Sequence, residues 1–535
     1  MRNFSFILLF FLASCSSKEE DRNIFRYNES SGIASLDPAF ARNQSIMWAV
    51  HQLYSTLVEV DENLEISPHI AKSWNISTDK KVITFFLRND VRFHDDDCFP
   101  GKKGRMVTAK DVEFSFQRLL DPATASPGAW VFNNRVDSLR PFEVVNDTTF
   151  ILRLAKPFPP VLGILSMQYC SIVPREAVEF YGNDFRKHPV GSGPFRFMMW
   201  DEGQVLIMKR NEHYFQRDSI GGKLPYLAGI KVSFFDSKAT EFVEFRQGRL
   251  DFINDIEASF KDEVLTRTGS LKTRWKDKIV LNKHPYLNTE YLGILNSSMP
   301  LMENSPLKER KIRQAINYAV DRKKMMMYLR NSIGTPASGG FVPAGLPSFN
   351  DSLVHGYEYD PAKASALLKE AGYTGTEIIL QTIPQYANLA TFIASDLRRT
   401  GINIKIETVQ KSILLDLTSR SASPFFRGSW IADYPDAENY LSVFYGKNPA
   451  PPNYTRYNNP AFDMLYERAL NEVNDSLRYE LYQQMDKLIV EDSYVVPLWY
   501  DMAIHLVQPD VKGFKPNALN MLELRTAKKS LAPGN

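Results

Sequence analysis

The chain has 535 residues, 44% of them hydrophobic and 24% charged, with a formal net charge of +2. That length exceeds one ordinary domain, so two or three lobes are expected, each with a composition able to bury a core. The near-neutral balance and the lack of a long basic stripe exclude nucleic acid as a general partner.

The first segment, "MRNFSFILLFFLASCSSKEED", carries one basic residue and an apolar run from Phe4 to Leu12. A spanning helix needs ~20 apolar residues, so this run reads as the core of an export signal. Leu12, Ala13 and Ser14 directly before Cys15 resemble the bacterial lipobox, which implies cleavage after residue 14 and lipid on Cys15. The alternative is a plain secretory signal with an incidental cysteine. Residues 15–21 would then be a tether. Ser16 stands where an aspartate would signal inner-membrane retention, and the acidic "SKEED" is similar to surface-exposure tags. The expected address is the cell envelope, periplasmic or surface-exposed, with lipid as the only membrane contact. Export permits a Cys98–Cys170 disulfide, with two buried thiols as the alternative.

Further along, apolar alternation predicts strands at "VITFFLR", "TTFILRLA", "GQVLIMKR" and "GIKVSFF". Helices interleave with them. "TAKDVEFSFQRLL" offers Thr108 as N-cap and sets Val112, Phe116 and Leu119 at helical spacing. "PLKERKIRQAINYAVDRKKMMMYL" repeats that spacing through Ile312, Ala315, Ile316, Ala319 and Val320. "DPAKASALLKEAGY" starts at Asp-Pro and ends at Gly372, a normal C-terminal glycine. "NPAFDMLYERALNEV" and "SLRYELYQQMDKLIVED" add two more helices. The class is mixed α/β.

Catalytic patterns are missing: there is no G-x-S-x-G, H-E-x-x-H, P-loop or dinucleotide fingerprint. "VGSGPF", with Gly191 and Gly193 before Pro194, reads as a turn into a strand. "FHDDDC" groups a histidine, three aspartates and Cys98, but neighbours in an extended loop point in alternating directions and cannot converge on one ion. No enzyme activity, metal or cofactor is expected.

Five segments carry a family resemblance: "GIASLDPAF", "VTAKDVEFSFQRLLDP", "HPVGSGPFRF", "LKERKIRQAINYAVDRKKM" and "DPAKASALLKEAGY". In this order, and across the whole mature chain, they resemble the family 5 extracellular solute-binding proteins, the peptide-binding group of ABC-importer receptors. The resemblance implies a periplasmic-binding-protein type II-like clamshell with an extra third lobe. Lobe I would comprise residues 22–65, 188–280 and 500–535, lobe II 66–187, and lobe III 281–499. It further implies a monomer that captures di- to oligopeptides between lobes I and III by hinge closure and delivers them to permease subunits. Receptors for nickel complexes, sugars or opines are the alternative within the class, and a surface lipoprotein hydrolase is the alternative outside it.

"RGSWIADY" is the candidate site. If Arg427 to Asp433 is extended, Arg427, Ser429, Ile431 and Asp433 share one face, and Gly428, Trp430 and Ala432 the other. At ~3.3 Å per residue the ends lie ~20 Å apart, too far for a salt bridge. A peptide ammonium in a closing cleft needs a carboxylate. The family's W-x-A-D-Y context is matched by Trp430, Ala432, Asp433 and Tyr434, which makes Asp433 the expected partner, ahead of Asp436 and Glu438. By the same resemblance Arg427 meets a ligand carboxylate or pairs with an acid of its own lobe. Tyr291, Tyr386, Trp499, Tyr500 and Trp130 fall where the family lines its cleft. Arg42, Gln44 and Lys411 depart from the family's oligopeptide binder, and the positive charge of Arg42 and Lys411 implies a more acidic ligand or a different ligand length.

Overall fold

The computed structural model describes residues 23–256 and 258–530. The leader, the tether and Cys15 lie outside the described residues.

An eleven-stranded mixed sheet organises the chain. Its order is Ile404–Thr408, Ile378–Thr382, Phe425–Ile431, Val280–Ile294, Val495–Val507, Phe252–Asn254, Ile24–Asn28, Gly229–Ser233, Val205–Arg210 and Phe195–Asp201, with Thr335–Pro336 paired beside Val495–Val507. The two long central strands, Val280–Ile294 and Val495–Val507, run antiparallel through both ends of this sheet. Their register slips between Pro285 and Thr289 and again between Glu290 and Tyr291. Proline has no N–H for the ladder, so a break beside Pro285 is where such a pair bends most easily.

The second half of Val280–Ile294 is buried on both faces, as expected for a strand covered by helices on each side. Alternation divides its side chains. Leu292 and Ile294 join Ile312, Ile316, Leu368 and Ile393 of the helices on one face. Tyr291 joins Phe426, Tyr440, Phe444 and Tyr482 on the other.

A separate four-stranded antiparallel sheet, Ala71–Ile76, Val82–Leu87, Thr149–Arg153 and Phe142–Asn146, buries alternate residues. Helix Ala109–Leu120 covers it, with Phe116 set against Phe132 and Phe150 at ring distances of 4.9 and 5.7 Å. One hydrophobic core runs without interruption from this sheet to Phe25 and Tyr27 of the large one.

The expected strands and helices are present, with one difference. The long basic run is two helices, Arg310–Ala319 and Arg322–Arg330. Val320 is extended, and Asp321 caps the second helix by accepting the Lys324 N–H at 3.0 Å. Thr108 and Asp111 form the capping box of Ala109–Leu120.

The disulfide expectation is corrected: Cys98 and Cys170 are separate thiols. Cys170 is enclosed in the core, whereas Cys98 sits in a loop beside Asp96, and burial pushes both thiols far up. The aspartates of "FHDDDC" diverge. Asp95 pairs with Lys103, Asp97 with Lys102, and Asp96 accepts from the Tyr181 hydroxyl at 2.9 Å. "VGSGPF" is a turn into Phe195–Asp201, held so close to Leu53 that a Cβ on Gly193 would lie 2.5 Å from its carbonyl carbon.

Candidate ligand-binding site

A cavity of about 1250 Å³ opens between three walls. One is built by Arg42–Gln44, the strand at Glu59 and the tail around Glu523 and Arg525. The second carries Trp130 and Gly163–Tyr169. The third is the end of strand Phe425–Ile431 and the turn after it, Ile431 to Pro435. Ligands of open α/β sheets bind beyond the carboxyl ends of strands, and Asp433 stands two residues past such an end.

Strand Phe425–Ile431 pairs with Val280–Ile294, Ser429 opposite Glu290 and Gly428 opposite Tyr291. Past Ile431 the chain is held by Asn439. Trp430 Nε1–H donates to Asn439 Oδ1 at 3.0 Å, and the Asp433 backbone N–H donates to the same oxygen at 3.2 Å. Asn439 Nδ2–H donates back to Asp433 Oδ2 at 3.2 Å. The Asp433 side chain is exposed to the cavity, yet the protein around it raises its carboxyl pKa by desolvation, and the Asn439 hydrogen bond and then the charge of Arg135 oppose the rise.

Beyond Pro435 the acids serve the scaffold. Asp436 accepts the Glu438 N–H at 2.9 Å and pairs with Arg478 at 3.4 Å. Glu438 accepts from the hydroxyls of Tyr434 and Tyr466.

Of the other expected site residues, Ile431, Ala432, Trp130, Arg42 and Gln44 line the cavity. Arg427, Ser429, Trp430, Tyr291, Tyr386, Trp499 and Tyr500 are not among its lining residues. Arg427 grips Glu290, donating Nη2–H to Oε2 at 2.6 Å and Nε–H to Oε1, and its guanidinium lies 3.6 Å from the Tyr386 ring centroid. Tyr291, 1% exposed, packs edge-on against Phe341 at 5.0 Å. Tyr500 donates its hydroxyl to Gly340 O at 2.8 Å, and Trp499 donates Nε1–H to Asp501 at 3.0 Å beneath the Arg330 guanidinium. These aromatics sit on central strands covered on both faces, so their side chains enter the core.

Sequence reasoning missed a polar cluster on the first wall. Arg525 donates to Glu59 at 2.8 Å and to Glu523 at 2.6 Å, and the His51 Nε2 lies 3.1 Å from Glu523. Burial alone would raise both carboxyl pKa values, but Arg525 and the histidines His69 and His51 hold them below the usual range. Burial pushes His69 down to about 4. Glu59 and Arg525 are 466 positions apart, and no local pattern announces their meeting.

Fold and cavity together define a clamshell binding protein of the α/β class, with its site between walls drawn from distant parts of the chain. Residues 65–452 match the family model "Bacterial extracellular solute-binding proteins, family 5 Middle". The chain is 28% identical over 530 residues to heme-binding protein A of Haemophilus influenzae, covering 94% of this chain and 91% of that one. It is 26% identical over 520 residues to the periplasmic oligopeptide-binding protein OppA of Salmonella typhimurium, covering 92% and 90%. HbpA2 from Haemophilus parasuis superposes with a TM-score of 0.83 at 25% identity, over 95% of this chain and 99% of that one. The chain belongs to the family 5 extracellular solute-binding proteins, which are substrate-binding components of ABC importers and not enzymes.

Proposed function

We propose that this protein captures short peptides, free amine first, and delivers them to an ABC-importer permease from a lipid anchor on Cys15. The observation that carries the peptide reading is Asp433, a carboxylate open to a 1250 Å³ cavity and lacking a cation within ion-pair distance among the described residues. An unpaired, partly desolvated carboxylate is costly, and a ligand ammonium that enters with closure removes the cost. The relative named as an oligopeptide-binding protein supports the same class of ligand. Closure would bend the two long strands at their register breaks near Pro285 and Glu290, which supports lobes joined there. Contacts made only when closed shift the open–closed balance toward the bound form.

The test is thermal stabilisation by a library of free tripeptides. Asp433→Ala is expected to lose the stabilisation while the unliganded protein melts as the parent does. Equal binding of free and N-acetylated peptides by the parent would overturn the assignment. Mass analysis of the secreted N-terminus, with diacylglycerol on Cys15 as the expected result, tests the anchor.

A further inference from the structure

Strand Val495–Val507 serves two different faces near the register breaks. Ile504 and Leu506 pack with Phe242 and Trp275 on one side. His505 takes the other, its ring 4.8 Å from that of Phe252 and its Nε2 2.9 Å from Asn520 Oδ1, and Asn520 lines the cavity. The Trp275 core therefore lies behind the long strands, on the face away from the cavity.

Two segments meet on that far face. The first is the turn from Leu265 to Leu271, bridged between those two residues, with Leu265 buried in the Trp275 core. Lys283, which precedes the break at Pro285, fixes its tip by donating Nζ–H to Gly269 O at 3.2 Å. The second is the C-terminal end of helix Arg322–Arg330. Met325 and Met326 of that helix share a core with Leu292 and Ile294, which follow the second break. Three contacts join the two segments. Asn331 Nδ2–H donates to Asp262 Oδ1 at 2.9 Å, Ser332 Oγ–H donates to Arg267 O at 2.9 Å, and the Arg267 guanidinium lies 5.9 Å from the Tyr328 ring centroid. The approach is close: a Cβ on Gly269 would lie 3.0 Å from Asn331 O.

We propose that these contacts form a clasp that holds the cleft open and so sets how tightly ligand binds. This rests on the hinge placed at the register breaks and goes beyond it by naming contacts that closure must break. Bending the strands toward the cavity brings its walls together and spreads the opposite face. One half of the clasp is fixed before the first break and the other half after the second, so closure stretches all three contacts. Ile333, buried in the Trp275 core, keeps the halves adjacent at the joint. Ligand affinity scales with the closed fraction of the free protein. Loss of one net hydrogen bond from the open form alone raises that fraction about five-fold.

Asn331→Asp sets a carboxylate against Asp262 and should open the clasp. The exchange Asp262→Asn with Asn331→Asp restores a donor and an acceptor and should close it again. Both side chains are at least partly exposed, and Asp and Asn both tolerate the left-handed backbone of position 331, so melting temperatures should stay near the parent's. Spin labels on the exposed Ser219 and Lys411, in a Cys98→Ser background, report the distance between the two proposed lobes without ligand. Asn331→Asp should enlarge the closed population about five-fold and raise tripeptide-library affinity, measured by calorimetry, by a similar factor. The exchanged pair should return both to parental values. Unchanged distances in unliganded Asn331→Asp overturn the clasp, as does a shift toward the open form or one that the exchanged pair fails to reverse. If the parent binds no peptide, the peptide reading falls, while the unliganded distances still decide the clasp.

Discussion

Asn439→Ala probes the joint that sets the site. Asn439 is 4% exposed and makes three hydrogen bonds within the turn, two as acceptor and one as donor. Each is worth ~1 kcal/mol net. The Trp430 indole N–H and the Asp433 backbone N–H are left without their acceptor, and orphaned buried donors cost ~1–3 kcal/mol apiece. Both donors are only half-shielded, so the low end applies, and the expected loss is about 3 kcal/mol. Urea unfolding at pH 7, followed by tryptophan fluorescence, measures it as a lower midpoint at unchanged slope. Asn439→Asp separates the roles. It keeps the acceptor for both N–H groups but sets a second carboxylate against Asp433, so it should retain more stability than alanine yet weaken peptide binding. A stability loss below ~0.5 kcal/mol for Asn439→Ala, with parental peptide affinity, would refute the view that this side chain positions Asp433.

Other consequences concern the scaffold. Arg118 grips Asp37 with two hydrogen bonds at 2.8 and 2.5 Å, and the Asp37 side chain is 5% exposed. Arg118→Ala should cost ~3 kcal/mol by stranding that carboxylate, read by urea unfolding; a loss under ~1 kcal/mol would contradict it. Asp486 accepts the Phe341 and Val342 N–H groups in a fully buried site, and burial raises its carboxyl to about 7 despite them. The unfolded chain releases this proton near pH 4 and the folded chain near pH 7. Asp486 therefore withdraws stability as pH rises from about 4 to 7, with a ceiling of roughly 4 kcal/mol. The stability gap between the parent and Asp486→Asn should narrow over that window, and a gap independent of pH would contradict the account.

The five segments that carry the family resemblance turn out to be scaffold, which explains why the fold was legible and the site only partly so. Asp37 of "GIASLDPAF" is the partner of Arg118 of "VTAKDVEFSFQRLLDP". Gly191 and Gly193 of "HPVGSGPFRF" press on Leu53. Arg313 and Arg322 of "LKERKIRQAINYAVDRKKM" donate to backbone oxygens, among them Asp492 O and Pro497 O. Period-two alternation divided strand Phe425–Ile431 as expected: Phe426 belongs to the Tyr440 core and Phe425 to the core on the other face. Local pattern does not reveal which of two faces a distant chain covers. Glu290 lies 137 positions before Arg427, and its approach makes the internal pair, the second of the two readings open for Arg427, the one found. The same limit hid Glu59 and Arg525, and it left Tyr291 and Tyr500 without a local sign that they are core. The W-x-A-D-Y context points to Asp433 without any long-range information, and Asp433 lines the cavity two residues past the end of its strand.

The central claim is that this cavity receives a peptide through Asp433. Native mass spectrometry of the purified protein, mixed with the free tripeptide library, tests it most directly. The account expects complexes whose added masses are those of tripeptides, present for the parent and gone for Asp433→Ala. Retention of a tetrapyrrole or a metal complex in place of peptide, or equal peptide retention by Asp433→Ala, would contradict it.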